Sequence, residues 1–163
     1  MIILLVKRSL CCLLIGVLWL TNIDTALAEN KSFLLAQANS NNLSIGQELY
    51  LENCASCHIP IPAQVLPRES WQDILNQPQS HYGQVLPDSI KATAGLIWTY
   101  LYQYSRPANR GETIPQYVSN SRYFQALHPK VELPKPSGHQ TCSTCHPMAG
   151  KLDYRTLSQN YIN

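Results

Sequence analysis

Two stretches of this sequence read C-x-x-C-H: Cys54-Ala55-Ser56-Cys57-His58 and Cys142-Ser143-Thr144-Cys145-His146. In this pattern the two thiols can bond to the two vinyl groups of a haem, and the adjoining imidazole is placed to bind the iron from one face. Two copies therefore predict two covalently attached haem c groups. The predicted attachment residues are Cys54, Cys57, Cys142 and Cys145, and the iron ligands that adjoin them are His58 and His146.

The first residues of the chain have the pattern of a secretory leader. Two basic residues precede an apolar run from Leu10 to Leu20, and Ala26-Leu27-Ala28 has the small-x-small pattern that signal peptidase cleaves. The apolar run, about a dozen residues, is short of the roughly twenty that a membrane span needs. We therefore predict that residues 1–28 are a signal peptide, cleaved before Glu29, and that the protein is exported.

Cysteine use agrees with this prediction. Cys11 and Cys12 lie inside the apolar run and would leave with it, so the two motifs hold every cysteine of the mature chain. Export implies an oxidising compartment, either a bacterial periplasm or a photosynthetic (thylakoid) lumen. The alternative is a protein without haem, in which the four thiols form two disulfides or bind zinc. A zinc site gives no role to the histidine that directly follows each pair.

Charge and composition exclude one class of partner. The formal net charge of +2 becomes +1 when Lys7, Arg8 and Asp24 leave with the leader, and four haem propionates would make the folded protein negative. Nothing in this balance indicates nucleic acid binding. The mature chain is poor in large aliphatic side chains, so covalent haems would supply part of its apolar core.

Helical patterns precede the first motif and occupy the middle of the chain. Ser44 and Gln47 form a capping box, which predicts a short helix leading to Cys54. Apolar residues recur at three- and four-residue spacing from about Ser89 to Tyr104, with Asp88 as a cap, and predict the clearest helix.

Two shorter helices are expected, one that Ser70 caps and one between Pro115 and Leu127. Around these segments, proline-rich connectors such as Ile59–Pro67 cannot sustain a helix. No strand pattern is present. We predict a compact dihaem cytochrome c that is mostly α with extensive irregular proline-rich chain, with residues 29–43 as a flexible tether and residues 44–163 as the domain.

Each iron also needs a sixth ligand. The mature chain has one methionine, Met148, which follows His146 too closely to reach the opposite face of the same haem. Three further histidines remain, one more than two irons need: His81, His128 and His139. Bis-histidine ligation of both haems is therefore the economical prediction.

The three candidates differ in their surroundings. His81 and His128 each lie at the end of an apolar-patterned segment, whereas His139 lies in a proline- and glycine-rich connector just before the second motif. His139 is therefore the favoured spare, although it remains a candidate ligand for the other haem. From their order in the chain we expect His81 to pair with His58 and His128 with His146, with a crossed arrangement left open.

The order of the motifs resembles a known family, the small dihaem cytochromes c of photosynthetic and other bacteria, from Asn53 to Leu157. A Pro-rich stretch after the first C-x-x-C-H leads to Pro67-Arg68-Glu69-Ser70-Trp71, and His81-Tyr82-Gly83 follows. An aromatic pair before a histidine, in Tyr123–His128, then precedes the second motif.

The resemblance implies a mostly helical electron-transfer protein, not an enzyme, with His81 and His128 as the distal ligands. It also implies redox partners such as a monohaem cytochrome c or a membrane cytochrome b, with membrane contact only through a partner. Two imidazole ligands imply low reduction potentials.

Two alternatives retain haem. The first is an enzyme or gas sensor in which one haem has an open position for peroxide, oxygen or nitric oxide chemistry. The second is a single-haem class I cytochrome, suggested by the stretch Gly46–Tyr50, but no downstream methionine supports it.

Overall fold

The computed structural model of this chain describes residues 31–133 and 138–161, which form two units divided between Asn41 and Asn42. The predicted signal peptide lies outside the described residues. Residues 31–41, in the first unit, are helical and exposed. The prediction of little regular structure over residues 31–43 is therefore wrong, because leucine, alanine and glutamine favour a helix even without an apolar stripe.

The second unit carries both motifs, and its described residues form five helices and short 3-10 turns. The helices are α1 (residues 42–54), α2 (Arg68–Asn76), α3 (Asp88–Tyr104), α4 (Arg122–Leu127) and α5 (Cys142–Cys145). The 3-10 turns are Ala63–Val65, Val118–Asn120, His139–Thr141, Ala149–Lys151 and Gln159–Tyr161.

The described part of the chain contains isolated bridges but no strand. This confirms the predicted fold class, helices joined by irregular proline-rich chain. Over the same residues, no helix combines the length and the apolar content that a membrane crossing requires.

The helix starts differ from the predicted caps. Ser44 lies inside a run of helical residues, so it does not begin a helix. Ser70 is the third residue of α2, and its buried hydroxyl donates to the Pro115 carbonyl (2.8 Å) instead of capping the helix. Asp88 is the first residue of α3 and makes no capping bond. In both α2 and α3 a proline, with its fixed φ, occupies the position before the first turn.

The core lies where α1, α2 and α3 meet the proline-rich segment after the first motif. Ten buried side chains form it: Tyr50, Ile61, Ala63, Val65, Leu66, Trp71, Ile97, Tyr100, Leu101 and Val118. The central ring is Tyr50, 1% exposed, which packs edge-on against Trp71 at 5.9 Å and against Tyr100 at 5.8 Å between ring centroids. The end of α1, and with it Cys54, is thereby fixed against the other two helices.

Gly46 allows this close approach of α1 to α3. A Cβ atom at Gly46 would lie 2.4 Å from the Leu96 carbonyl oxygen and 2.9 Å from Cβ of Tyr100. The first contact is with helix backbone, which cannot rotate away as a side chain can. Any side chain at position 46 would therefore push the two helices apart.

We predict that Gly46→Ala lowers the free energy of unfolding of the haem-loaded protein by roughly 1–3 kcal/mol, the usual cost of overpacking. Chemical denaturation monitored by far-UV circular dichroism measures the change. Gly95→Ala is the matched control, because a Cβ there meets no atom within 4 Å and α3 gains helix propensity. Equal effects of the two substitutions would contradict the assigned contact.

An ion pair closes the loop that follows α3. The guanidinium of Arg106 donates to both carboxylate oxygens of Glu112, at 2.7 and 2.5 Å, and the side chains are 14% and 2% exposed. The backbone N–H of Asn109 also donates to Glu112 (2.8 Å). The hydrogen bond from Arg106, with that of Asn109 second, lowers the pKa of Glu112 to about 2.

Glu112 should therefore make stability depend on pH. Its folded pKa lies below its ordinary value of 4.5, so its stabilisation is complete above pH 4.5 and is lost as the pH falls toward 2. Glu112→Gln should cost roughly 1–3 kcal/mol of unfolding free energy near pH 7, less than breaking a fully buried pair. The difference between the two proteins should shrink as denaturation is repeated from pH 5 toward about pH 3.

Asp88→Asn is the control for this prediction. Asp88 pairs with Lys91 at 2.7 Å, but the Asp88 side chain is 93% exposed, and an exposed pair contributes little. If Asp88→Asn destabilised the protein as much as Glu112→Gln, the loop ion pair would have no special role.

Candidate functional site

The first C-x-x-C-H motif lies at the end of α1. Cys54 is the last helical residue, and a turn over residues 55–57 leads to His58. Cys54 is partly buried against the core, whereas Cys57 is exposed. Burial, with Cys57 second, raises the pKa of Cys54 to about 11. Neither residue forms a disulfide, so both are available for covalent attachment of a haem.

The second motif is held between a turn and the tail of the chain. The turn His139–Thr141 runs directly into α5, whose C-terminal residue, Cys145, precedes His146. The Cys145 carbonyl accepts a hydrogen bond from the Ser158 N–H at 2.9 Å, which ties the tail to α5. Cys142 and Cys145 are also free thiols, so no disulfide joins the four predicted attachment residues.

A strained turn presents His81. Tyr82 and Gly83 both have positive φ, 49° and 86°, and the Gln84 N–H donates to the His81 carbonyl at 3.0 Å. A tyrosine rarely adopts this backbone conformation. Here its hydroxyl donates to the Gln116 carbonyl and its ring packs on Tyr117 at 5.3 Å, which compensates for the strain.

His128 is presented by the last turn of α4. The residue before this helix, Ser121, is fully buried, and its hydroxyl donates to the Val65 carbonyl in the core. At the other end, the His128 ring packs on Phe124 (4.5 Å), and its Nδ1 lies 2.8 Å from the Phe124 carbonyl. Helix α4 thus connects the core to the histidine.

The four predicted iron ligands form two pairs in the structure. The ring centroids of His58 and His81 are 6.1 Å apart, with planes inclined by 28°, and those of His146 and His128 are 6.2 Å apart, with planes inclined by 81°. Each pair joins one motif histidine to one histidine from elsewhere in the chain. These are the two groupings of rings that chain order predicts.

These separations fit a metal ion between the two rings of each pair. Two imidazoles that bind one metal from opposite sides have ring centroids about 6.2 Å apart, because each metal–nitrogen bond is about 2.0–2.1 Å and each ring centre lies roughly 1.1 Å behind its nitrogen. Two rings in direct contact would have a shorter centroid separation. The donor set therefore fits the predicted haem irons.

Hydrogen bonds at Nδ1 leave the other ring nitrogen available. Nδ1 of His58 lies 3.1 Å from the Ile59 carbonyl, as Nδ1 of His128 lies near that of Phe124. A carbonyl only accepts, so each Nδ1 must carry the hydrogen and Nε2 keeps a lone pair for a metal. Nδ1 of His146 is buried and lacks a hydrogen bond of good geometry in the described part of the chain.

Burial lowers the pKa of two of these ligands. For His81 the largest cause is burial and the second is the charge of His58. For His146 burial again comes first, then His128, while the backbone of Tyr154 and the charge of Asp153 act in the opposite direction. A lowered pKa keeps each ring neutral near pH 7, which is the form that binds metals.

His139, the favoured spare, lies beside the first pair. Its ring centroid is 4.5 Å from that of His58, which is too short for a metal between the two rings. Its Nδ1 lies 3.2 Å from the same Ile59 carbonyl that His58 approaches. Although it precedes the second motif in sequence, His139 therefore contacts the first.

Three successive carbonyls after His58 accept side-chain hydrogen bonds from distant parts of the chain. The Ile59 carbonyl is shared by two histidines, the Pro60 carbonyl accepts from the Tyr154 hydroxyl (2.7 Å), and the Ile61 carbonyl accepts from the Tyr50 hydroxyl (2.8 Å). The Tyr154 ring also lies 5.2 Å from that of His146. The segment 59–61 therefore links the two motifs.

Sequence reasoning did not identify Tyr154. The residue lies in a tail whose periodicity is weak, and no spacing rule connects it to Pro60, 94 residues earlier. Sequence reasoning also overlooked the contact of His139 with the Ile59 carbonyl. Contacts between distant segments leave no local pattern.

Comparison with known proteins identifies the family. The family model described as dihaem cytochrome c matches residues 50–154, more than half of the chain. No curated protein matches this sequence.

Two solved structures are similar to this chain. One is a diheme cytochrome type c from Shewanella baltica OS155, with 25% identity, a TM-score of 0.46, and coverage of 65% of this chain and 85% of that one. The other is DHC purified from Rhodobacter sphaeroides, with 27% identity, a TM-score of 0.47, and coverage of 64% and 93%.

The turn that presents His81 yields a prediction. Gly83→Ala should lower the free energy of unfolding by about 1–2 kcal/mol, because an alanine at positive φ is strained even with open space around it. Gly83→Asn should cost less, since asparagine tolerates this conformation. Gly150→Ala, where a Cβ meets no atom within 4 Å and φ is ordinary, is the control. If Gly150→Ala lowered the free energy of unfolding as much as Gly83→Ala, the positive φ of Gly83 would not be the cause of the loss.

Proposed function

Because this chain belongs to the dihaem cytochrome c family, and so is an electron-transfer protein with two haem c groups, we propose that it is a carrier with bis-histidine ligation at both irons. The first iron is bound by His58 and His81, and the second by His146 and His128. Cys54, Cys57, Cys142 and Cys145 hold the haems covalently.

The observation that carries this proposal is the pair of ring separations, 6.1 and 6.2 Å. Both match the distance between two imidazoles that bind one metal from opposite sides. His139, the only other histidine in the chain, lies too close to His58 to bind the opposite side of the same metal. The same geometry supports both the choice of these four ligands and their division between the two sites.

The haems supply two one-electron centres, and the protein keeps the ligands in place around them. His58 and His128 are oriented by Nδ1 hydrogen bonds to backbone carbonyls. His81 is fixed by a turn whose Tyr82 is anchored to Gln116. Ligands held in this way change little between the oxidised and reduced states, which favours rapid electron transfer.

The ligand set also implies the range of the reduction potential. A thioether ligand raises the potential of a cytochrome c, and neither proposed pair contains one. Met148 is 39% exposed and lies only two residues after His146. We therefore propose that both potentials lie below those of His/Met cytochromes c.

The proposed setting follows from the sequence. The leader over residues 1–28 directs export, to a periplasm or to a photosynthetic lumen. The partners are redox proteins, such as a monohaem cytochrome c or a membrane cytochrome b, and the chain reaches a membrane only through such a partner.

Carbon monoxide binding tests the ligand assignment. The reduced wild-type protein, matured with two haems per chain as measured by pyridine haemochrome, should bind no carbon monoxide. His81→Ala and His128→Ala should each bind about one carbon monoxide per chain and show one high-spin haem. The double variant should bind two.

His139→Leu is the matched control, since it removes a partly buried histidine that is not a proposed ligand. It should remain low-spin and bind no carbon monoxide. Carbon monoxide binding by the wild-type protein would instead support the alternative, an enzyme or gas sensor with one open haem. Binding by His139→Leu alone would show that the distal ligand is assigned to the wrong residue.

A further inference from the structure

The carbonyl of Ile59 is approached by two imidazoles, one from the adjacent residue and one from a distant part of the chain. Nδ1 of His58 lies 3.1 Å from this oxygen and Nδ1 of His139 lies 3.2 Å from it, although the two residues are separated by 81 positions. The two rings are inclined by 58° with centroids 4.5 Å apart. The oxygen is therefore a shared acceptor for a proposed iron ligand and for a histidine outside the proposed ligand set.

The chemistry of the acceptor fixes the hydrogens. A carbonyl oxygen only accepts, so both Nδ1 atoms must carry hydrogen when they bond to it. His139 is then an N–H donor at Nδ1.

Two donors to one oxygen weaken each other, because each withdraws electron density from the lone pairs that the other uses. The strength of the bond from the His58 N–H matters for the iron, since a stronger bond makes the imidazole a more basic ligand. A more basic ligand favours the ferric state and lowers the reduction potential. A second donor to the same oxygen weakens the bond from the His58 N–H and therefore raises the reduction potential.

We propose that His139 is a positioning residue that raises the reduction potential of the first haem by sharing the Ile59 carbonyl with His58. The proposal rests on the ligation of the first haem by His58. Because His139 begins the turn that leads into α5, this influence comes from the segment that holds the second haem.

The second site has no equivalent arrangement. Nδ1 of His146 is buried without a hydrogen bond of good geometry among the described residues. The ring centroid of Tyr154 lies 5.2 Å from that of His146. Removal of His139 should therefore affect the potential of one haem only.

The test compares two pairs of variants of the dihaem protein by spectroelectrochemical titration. His139→Asn places an amide N–H near the position of Nδ1 and keeps the donor. His139→Leu and His139→Gln remove it, since the glutamine amide extends toward the position of Nε2. Gln140→Ala, at the exposed neighbouring position, is the surface control.

One of the two midpoint potentials should fall in His139→Leu and in His139→Gln, while the other stays at the wild-type value. His139→Asn and Gln140→Ala should leave both unchanged. The paramagnetically shifted N–H signal of one ligating histidine should move in the same two variants, which reports directly on the His58 bond. If His139→Leu prevents haem incorporation, the comparison of His139→Gln with His139→Asn still tests the proposal.

Three results would overturn the proposal: unchanged potentials in both donor-free variants, equal shifts in His139→Asn and His139→Gln, or equal shifts of the two haems. These results differ from a failure of the proposed function. If the wild-type protein bound carbon monoxide, the ligand assignment itself would be wrong, whatever the potentials of the variants.

Discussion

The second unit depends on the three consecutive carbonyls of residues 59–61. Each accepts a side-chain hydrogen bond from another part of the chain: His139 from the segment before the second motif, Tyr154 from the tail, and Tyr50 from α1. Pro60 and Ile61 are buried, so an unpaired carbonyl there would cost free energy. These bonds satisfy the backbone and hold both haem-binding motifs against one segment.

The proline content explains why side chains bond to this segment. Pro60 and Pro62 have no N–H, and each disfavours a helical conformation of the residue before it. The carbonyls of the segment therefore cannot enter a helical ladder and must find other partners. Proline here creates acceptors for distant donors, and the chain becomes a scaffold without becoming regular structure.

Much of the fold was predictable because local patterns specify it. The apolar spacing over Ser89–Tyr104 predicted α3 to within one residue, and the absence of alternation correctly excluded strands from the described chain. The caps and the segment before α1 were not predicted correctly. Ser70 forms a bond to Pro115, a residue 45 positions away, and no local rule contains that contact.

The C-x-x-C-H motifs and the supply of histidines are properties of the sequence itself, because attachment chemistry needs only adjacent residues. Family membership follows from the order of motifs along the chain for the same reason. Only the tertiary structure places His81 at 6.1 Å from His58, His128 at 6.2 Å from His146, and His139 beside the first pair. Such distances result from packing between segments far apart in the chain, and a linear pattern contains no information about them.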